Sequence, residues 1–126
     1  MNEPLSGKRI LAVEDEYMLA QDLALFLEQQ GVTVVGPVGT VQAALGLATR
    51  ETLDAAILDV NLHNQPVYPV ADVLIERGVP IVFATGYDEL LMQRPYLNLP
   101  RCSKPLDKEA LLQVLLREIA ARTGAC

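Results

Sequence analysis

Residues 55–60 read AAILDV. Four apolar residues run up to a carboxylate, and an apolar residue follows it. A short continuous apolar run of this kind is consistent with a strand buried on both faces, as found in parallel sheets covered by helices. Carboxylates are among the residues least often fully buried. An acid at the end of such a strand, Asp59, therefore needs either compensation or a chemical use.

The same pattern recurs on both sides of this stretch. RILAV (9–13) reads as a buried first strand, and VTVV (32–35) as a second, closed by Gly36-Pro37. PIVFAT (80–85) reads as the fourth and RCSK (101–104) as a short fifth. Helical periodicity fills the gaps. Leu19, Leu23, Phe26 and Leu27 share one face of a helix that Gly31 ends at its C′ position. Thr40 is an N-cap for a helix carrying Val41, Ala44, Leu45 and Ala48. A helix near 70–77 presents Val70, Val73 and Leu74 and stops at Gly78. A short helix from Asp88 to about Gln93 is limited by Pro95 and Pro100. Asp107 caps a last helix that runs to about Ala121 and carries Leu112, Leu115, Leu116 and Ile119. Strands alternating with helices predict an α/β fold, a doubly wound five-stranded parallel sheet with helices on both faces and the fourth helix short or irregular.

Composition limits the function. The chain has 126 residues, enough for one domain with its own core. It is 51% hydrophobic but only 5% aromatic, so that core is aliphatic. The formal net charge of -6 repels nucleic-acid phosphates and anionic membrane surfaces. Two cysteines, Cys102 and Cys126, make no disulfide framework and suit a reducing, cytoplasmic compartment. No signal-peptide run or membrane-length apolar stretch is present in the sequence.

In a sheet of this class ligands bind beyond the carboxyl ends of the strands. The first strand ends in Glu14 and Asp15, the third in Asp59, the fourth in Thr85-Gly86 and the fifth in Ser103-Lys104-Pro105. Three carboxylates, a hydroxyl and an ammonium then converge on one edge. A carboxylate pair at ~4 Å costs about 4 kcal/mol at an effective dielectric of about 20. Either the pKa values rise or a cation neutralises the cluster. A hard dication held by a few carboxylates and water describes Mg²⁺. Lys104 and Thr85 would then hold phosphoryl oxygens, Gly86 would leave room for the group, and Asp59 would be the nucleophile.

These motifs, VEDE (13–16), ILDVNL (57–62), FATGY (83–87) and SKP (103–105), resemble in order and spacing the receiver domain of two-component response regulators. The resemblance covers nearly the whole chain. It implies a flavodoxin-like (CheY-like) sheet of order 2-1-3-4-5 and a single receiver domain over 1–126 with no output domain. It implies that Asp59 takes a phosphoryl group from a histidine kinase or histidine phosphotransfer protein. Mg²⁺ would be held by Asp15, Asp59 and the backbone carbonyl of Asn61, with Glu14 bonding through water. The Lys104-Pro105 bond would be cis. The chain would be no enzyme beyond slow autodephosphorylation, with Asn61 and Tyr87 flanking the attacking water and the bulk of Tyr87 shielding the bond. Output would pass through a downstream protein or end in a phosphate sink.

The departures from that pattern are specific. The usual Met-Pro and Gly after the phosphorylated aspartate are replaced by NLHNQPVYP, and Arg101 occupies the usual position of an aromatic switch residue. With FATGY, these features resemble the stand-alone FATGUY group. A Mg²⁺-dependent phosphatase or Toprim-like hydrolase using Asp59 and Glu14 is the alternative. Such enzymes expect a second acid where Asn61 stands. His63, the one histidine, reads as a solvated loop residue, because no second histidine or cysteine lies at ligand spacing. Cys102 reads as a small buried apolar residue. Leu111, Leu112, Val114, Leu115, Leu116 and Ile119 form an arc wider than one packed face needs. Core is the default for it, and a partner or homodimer surface is the alternative for part of it.

Overall fold

The computed structural model describes residues 4–86, 96 and 98–123. The expected helix at 88–93 and Tyr87 lie outside them. The elements in chain order are β1 (Arg9–Val13), α1 (Tyr17–Gln29), β2 (Thr33–Val38), α2 (Val41–Arg50), β3 (Ala55–Asp59), β4 (Asn61–Leu62), β5 (Gln65–Pro66), α3 (Tyr68–Glu76), β6 (Ile81–Thr85), β7 (Arg101–Ser103) and α4 (Lys108–Thr123). Five strands form one parallel sheet in the order β2-β1-β3-β6-β7, which is the expected 2-1-3-4-5. AAILD is its central strand, and all five residues are buried.

The apolar run of β3 is continuous because both of its faces are used. Ala56 and Leu58 point into one core layer, with Ala44 and Ala48 of α2 and Val70, Ala71 and Leu74 of α3. Ala55 and Ile57 point into the other, with Leu23 and Leu27 of α1 and Leu111, Leu115 and Ile119 of α4. The period-two alternation of a strand thus feeds two layers at once. Leu112, Val114 and Leu116 are partly buried against the second layer, so the wide arc on α4 faces the core.

The helix ends follow local chemistry. Thr40 Oγ1 accepts from the Ala43 N–H at 3.1 Å, and Asp107 Oδ1 accepts from the Ala110 N–H at 3.2 Å. After α1, Gly31 takes φ +83, and the Val32 N–H returns to the Leu27 carbonyl at 3.1 Å. The buried stripe of α1 is Ala20, Leu23, Ala24 and Leu27, and the expected Leu19 is 40% exposed. The two alanines supply the contact with the core that the larger side chain was expected to make.

Two backbone features differ from the sequence reading. β2 does not stop at Gly36-Pro37 but runs through them to Val38, with a register shift opposite Leu11 and Val13. Gly36 permits this by adopting φ +98, and a Cβ there would stand 3.0 Å from the Ala12 carbonyl oxygen. The Gly36-Pro37 bond is cis, as is the expected Lys104-Pro105. The second feature is in NLHNQP, which forms a two-strand hairpin rather than an open loop, with Asn61 opposite Pro66 and Leu62 opposite Gln65. Its tip, His63-Asn64, has φ 48 and 66, the left-handed pair that tight hairpin turns require. Leu62 is 1% exposed and pins the hairpin to the core.

The few aromatic residues are concentrated. Tyr68 at the start of α3 stacks on Tyr96 with ring centroids 4.1 Å apart, and Phe83 of β6 meets both rings edge-on. The Tyr96 hydroxyl donates to Asp72 Oδ1 at 2.6 Å. Tyr96 thereby ties the connection between β6 and β7 to α3.

Candidate functional site: an acid cluster at the strand ends

Strand register builds the site. Val13 lies beside Leu58, so Glu14 follows beside Asp59. Asp59 lies beside Ala84, and Thr85 beside Ser103, so Thr85 and Lys104 reach the same edge. The Lys104 N–H donates to the Thr85 carbonyl at 2.6 Å and fixes the last of these strand ends. Glu14, Asp59 and Thr85 are buried at this edge. Glu14, Asp15 and Asp59 each bring a carboxylate oxygen within 4.8 Å of the others.

Lys104 is the cation among them. Its Nζ donates to Glu14 Oε1 at 2.8 Å and to Asp59 Oδ2 at 3.1 Å. Burial works against its charge, but the two carboxylates more than offset this and the pKa is raised. Asp59 also accepts from the Asn61 N–H at 3.3 Å. Burial first, and then repulsion from Glu14, push the Asp59 pKa up to about 7 against the pull of Lys104. Asp15 behaves in the opposite way. Burial raises it, but the His63 N–H and bonds with its neighbours outweigh that, and its pKa is lowered.

Thr85 Oγ1 is buried and has no hydrogen-bond partner. Buried hydroxyls are rarely left so, because the unmade bond costs about 1–3 kcal/mol. Its strand-end position makes it a donor available to a ligand. A side chain at Gly86 would meet nothing within 4 Å, so the space beside Thr85 is open.

Glu14, Asp15, Asp59, Asn61, Thr85, Gly86 and Lys104 therefore lie along one sheet edge, as their strand-end positions imply. Two further residues bear on it. A Cβ on Gly39 would stand 3.2 Å from the Asp15 Cα, so the β2–α2 loop lies close against the acid loop and a side chain there would press on it. His63 donates its backbone N–H to Asp15 Oδ2 at 2.9 Å. Its side chain is 69% exposed, as expected of a solvated loop residue, and it is the backbone that makes the contact. Its partner is a carboxylate 48 positions away, brought near by the fold.

Known proteins resemble this chain in sequence and fold. The model of the response regulator receiver domain matches residues 10–116. Sensory transduction protein LytT of Bacillus anthracis is 31% identical over 111 residues, 85% of this chain and 45% of LytT. The chain thus spans about half the length of that relative. SdrG of Sphingomonas melonis Fr1 is 38% identical with a TM-score of 0.78, over 92% of this chain and 97% of SdrG. Its BeF3-activated conformation superposes with a TM-score of 0.71, over 87% and 94% of the two chains. The receiver domain of the sensor histidine kinase PA1611 from Pseudomonas aeruginosa PAO1, with magnesium in its active site cleft, is 23% identical. It has the same fold, with a TM-score of 0.76 over 91% of this chain and 99% of that one. By the family match and by the acids, hydroxyl and lysine at its strand ends, this chain belongs to the response regulator receiver domain family.

Proposed function

We propose that Asp59 accepts a phosphoryl group from a phosphohistidine of a histidine kinase or phosphotransfer protein, in a Mg²⁺-dependent reaction. The observation that carries this reading is the setting of Asp59. It is a buried carboxylate bonded to Lys104, close to Glu14 and Asp15, on the edge where Thr85 holds an uncommitted hydroxyl.

The donor set fits a hard dication, being made of carboxylate and carbonyl oxygens. Asp15, Asp59 and the Asn61 carbonyl would hold Mg²⁺, with Glu14 acting through water. When bound, the ion supplies charge neutralisation between Asp59 and the incoming anionic group. The chain's own residues do the rest. An Asp59 oxygen attacks phosphorus, an O–P bond forms, and the P–N bond breaks with its electron pair leaving on the donor imidazole. Lys104 provides a positive charge for one phosphoryl oxygen. The Thr85 hydroxyl donates to another, and Gly86 leaves that oxygen room. The phosphorylated chain then signals by contact with a downstream protein or holds the phosphate as a sink.

Beryllofluoride binding tests the reading, and the BeF3-activated conformation of SdrG makes it a fitting probe. With Mg²⁺, beryllofluoride is expected to shift the amide resonances of Asp59, Thr85 and Lys104 and to leave Asp59→Asn unchanged. Equal shifts in Asp59→Asn would remove Asp59 from its role. Steady release of phosphate from phosphoesters would instead favour the hydrolase alternative.

A further inference from the structure

The β4–β5 hairpin meets the acid cluster with its main chain. The Asn61 N–H donates to Asp59 Oδ1 at 3.3 Å, and the His63 N–H donates to Asp15 Oδ2 at 2.9 Å. Both donors lie on the outer edge of β4, and the hairpin register explains why. The Val67 N–H bonds to the Val60 carbonyl at 2.9 Å, which makes that flanking pair a hydrogen-bonded one. Hydrogen-bonded and non-hydrogen-bonded pairs alternate along an antiparallel ladder. Asn61 and Pro66 are the next pair, so the main-chain groups of Asn61 point away from β5. Pro66 fits opposite Asn61 because the ladder needs no N–H there. Leu62 and Gln65 form the pair after that and face each other again. The Leu62 carbonyl turns inward, and the His63 N–H, on the opposite side of the same trans peptide, turns outward. A two-residue tip closes this register when both tip residues are left-handed, and His63 and Asn64 have φ 48 and 66. The buried Leu62 fixes the whole unit to the core.

We propose that this hairpin is the positioning element of the cation site. Its outer main-chain edge holds the Asp59 and Asp15 carboxylates and aims the Asn61 carbonyl, which lies between the two N–H groups in chain order, at the gap between them. The left-handed tip, and not the side chains it carries, then sets the affinity for a hard dication. The exposed His63 imidazole makes neither of the two bonds. Hydrogen bonds that orient metal ligands in this way are worth about 10–100-fold in affinity. The proposal rests on the reading of Asp15, Asp59 and the Asn61 carbonyl as cation ligands. It does not need Asp59 to be phosphorylated.

The test is titration of the full chain with Mg²⁺, following the amide resonances of Asp15, Asp59 and Asn61. The double variant His63→Val/Asn64→Val opposes left-handed φ at the tip and is expected to weaken Mg²⁺ at least about tenfold. Glycine at the same two positions takes left-handed φ freely, so His63→Gly/Asn64→Gly is expected to restore binding to within about threefold of wild type. Leu53→Ala opens a cavity beside the amino end of β3, away from the hairpin, and controls for lost stability. Its Mg²⁺ affinity is expected to stay within about twofold. Full affinity in the valine variant would overturn the proposal. So would an equal loss in Leu53→Ala, or glycine variants as weak as the valine ones. Mg²⁺ binding that depends on the hairpin, in a chain that takes up no beryllofluoride, would remove the phosphoacceptor reading and leave this one standing. A wild type that binds no Mg²⁺ yet is phosphorylated on Asp59 would do the reverse.

Discussion

At the scale of single residues, the site is a set of opposed charges held by strand register. Asp59 is the strained member, desolvated and facing Glu14, with a pKa pushed up to about 7. Asp59→Asn is therefore expected to stabilise the protein in metal-free buffer above pH 7, by about 1–2 kcal/mol in urea denaturation. The sign follows from linkage. A carboxylate with a raised pKa favours the fold while it is protonated, and that contribution is lost as pH rises from about 4 through about 7. The gain from Asp59→Asn should accordingly shrink as pH falls through that window, and an equal gain at pH 5 and pH 8 would contradict this account. Tyr87 is expected to shield the acyl phosphate, so Tyr87→Ala should speed loss of phosphate severalfold. A slower loss in the variant would count against shielding. Glu14, Asp59 and Thr85 were legible in the sequence because each ends an apolar run, and Asp15 and Lys104 because they stand beside such ends in the order of the family motifs. The contact of His63 with Asp15 was not, because it depends on a turn conformation and on two segments meeting in space.

At the scale of elements, β1, β3 and β6 were legible with their ends because both faces are apolar, and the end of β2 was not. β2 runs on through Gly36-Pro37, a pair that usually marks a stop, because glycine can take φ +98 in a bulge. Gly36→Ala should cost about 1–3 kcal/mol of stability by thermal unfolding, since its Cβ would press on the Ala12 carbonyl. No loss would mean that the bulge relaxes freely. The β4–β5 hairpin escaped notice because two-residue strands carry no period to read. The aromatic clasp of Tyr68, Phe83 and Tyr96 was equally hidden, its members lying on three separate segments. The bond to Asp72, aided by burial, pushes the Tyr96 pKa up to about 12 from an ordinary 10.0. The fold thus prefers the neutral phenol, and this contribution is complete below about pH 10 and lost as pH climbs through about 12. Tyr96→Phe should cost about 1 kcal/mol at pH 7 and progressively less as pH approaches 12. A gap that widens with pH would refute the hydrogen-bond account.

At the scale of the whole molecule, alternation of apolar runs with helical periods predicted the doubly wound sheet, and the strand order followed from the family resemblance. Both agree with the observed β2-β1-β3-β6-β7 sheet. What the sequence could not give is how the acid edge is linked to the rest. That linkage runs through the hairpin to α3 and through Phe83 to the Tyr68–Tyr96 stack, in a chain with Arg101 where an aromatic switch usually stands. No described helix is long and apolar enough to cross a membrane. The proposed phosphorylation of Asp59 at this edge can be read on the intact chain. Intact-protein mass spectrometry after incubation with acetyl phosphate and Mg²⁺ tests it most directly. One added phosphoryl group is expected, removed by hydroxylamine, absent when EDTA withholds Mg²⁺ from the reaction, and absent in Asp59→Asn. Equal labelling of Asp59→Asn, or none in the wild type with Mg²⁺ present, would contradict it.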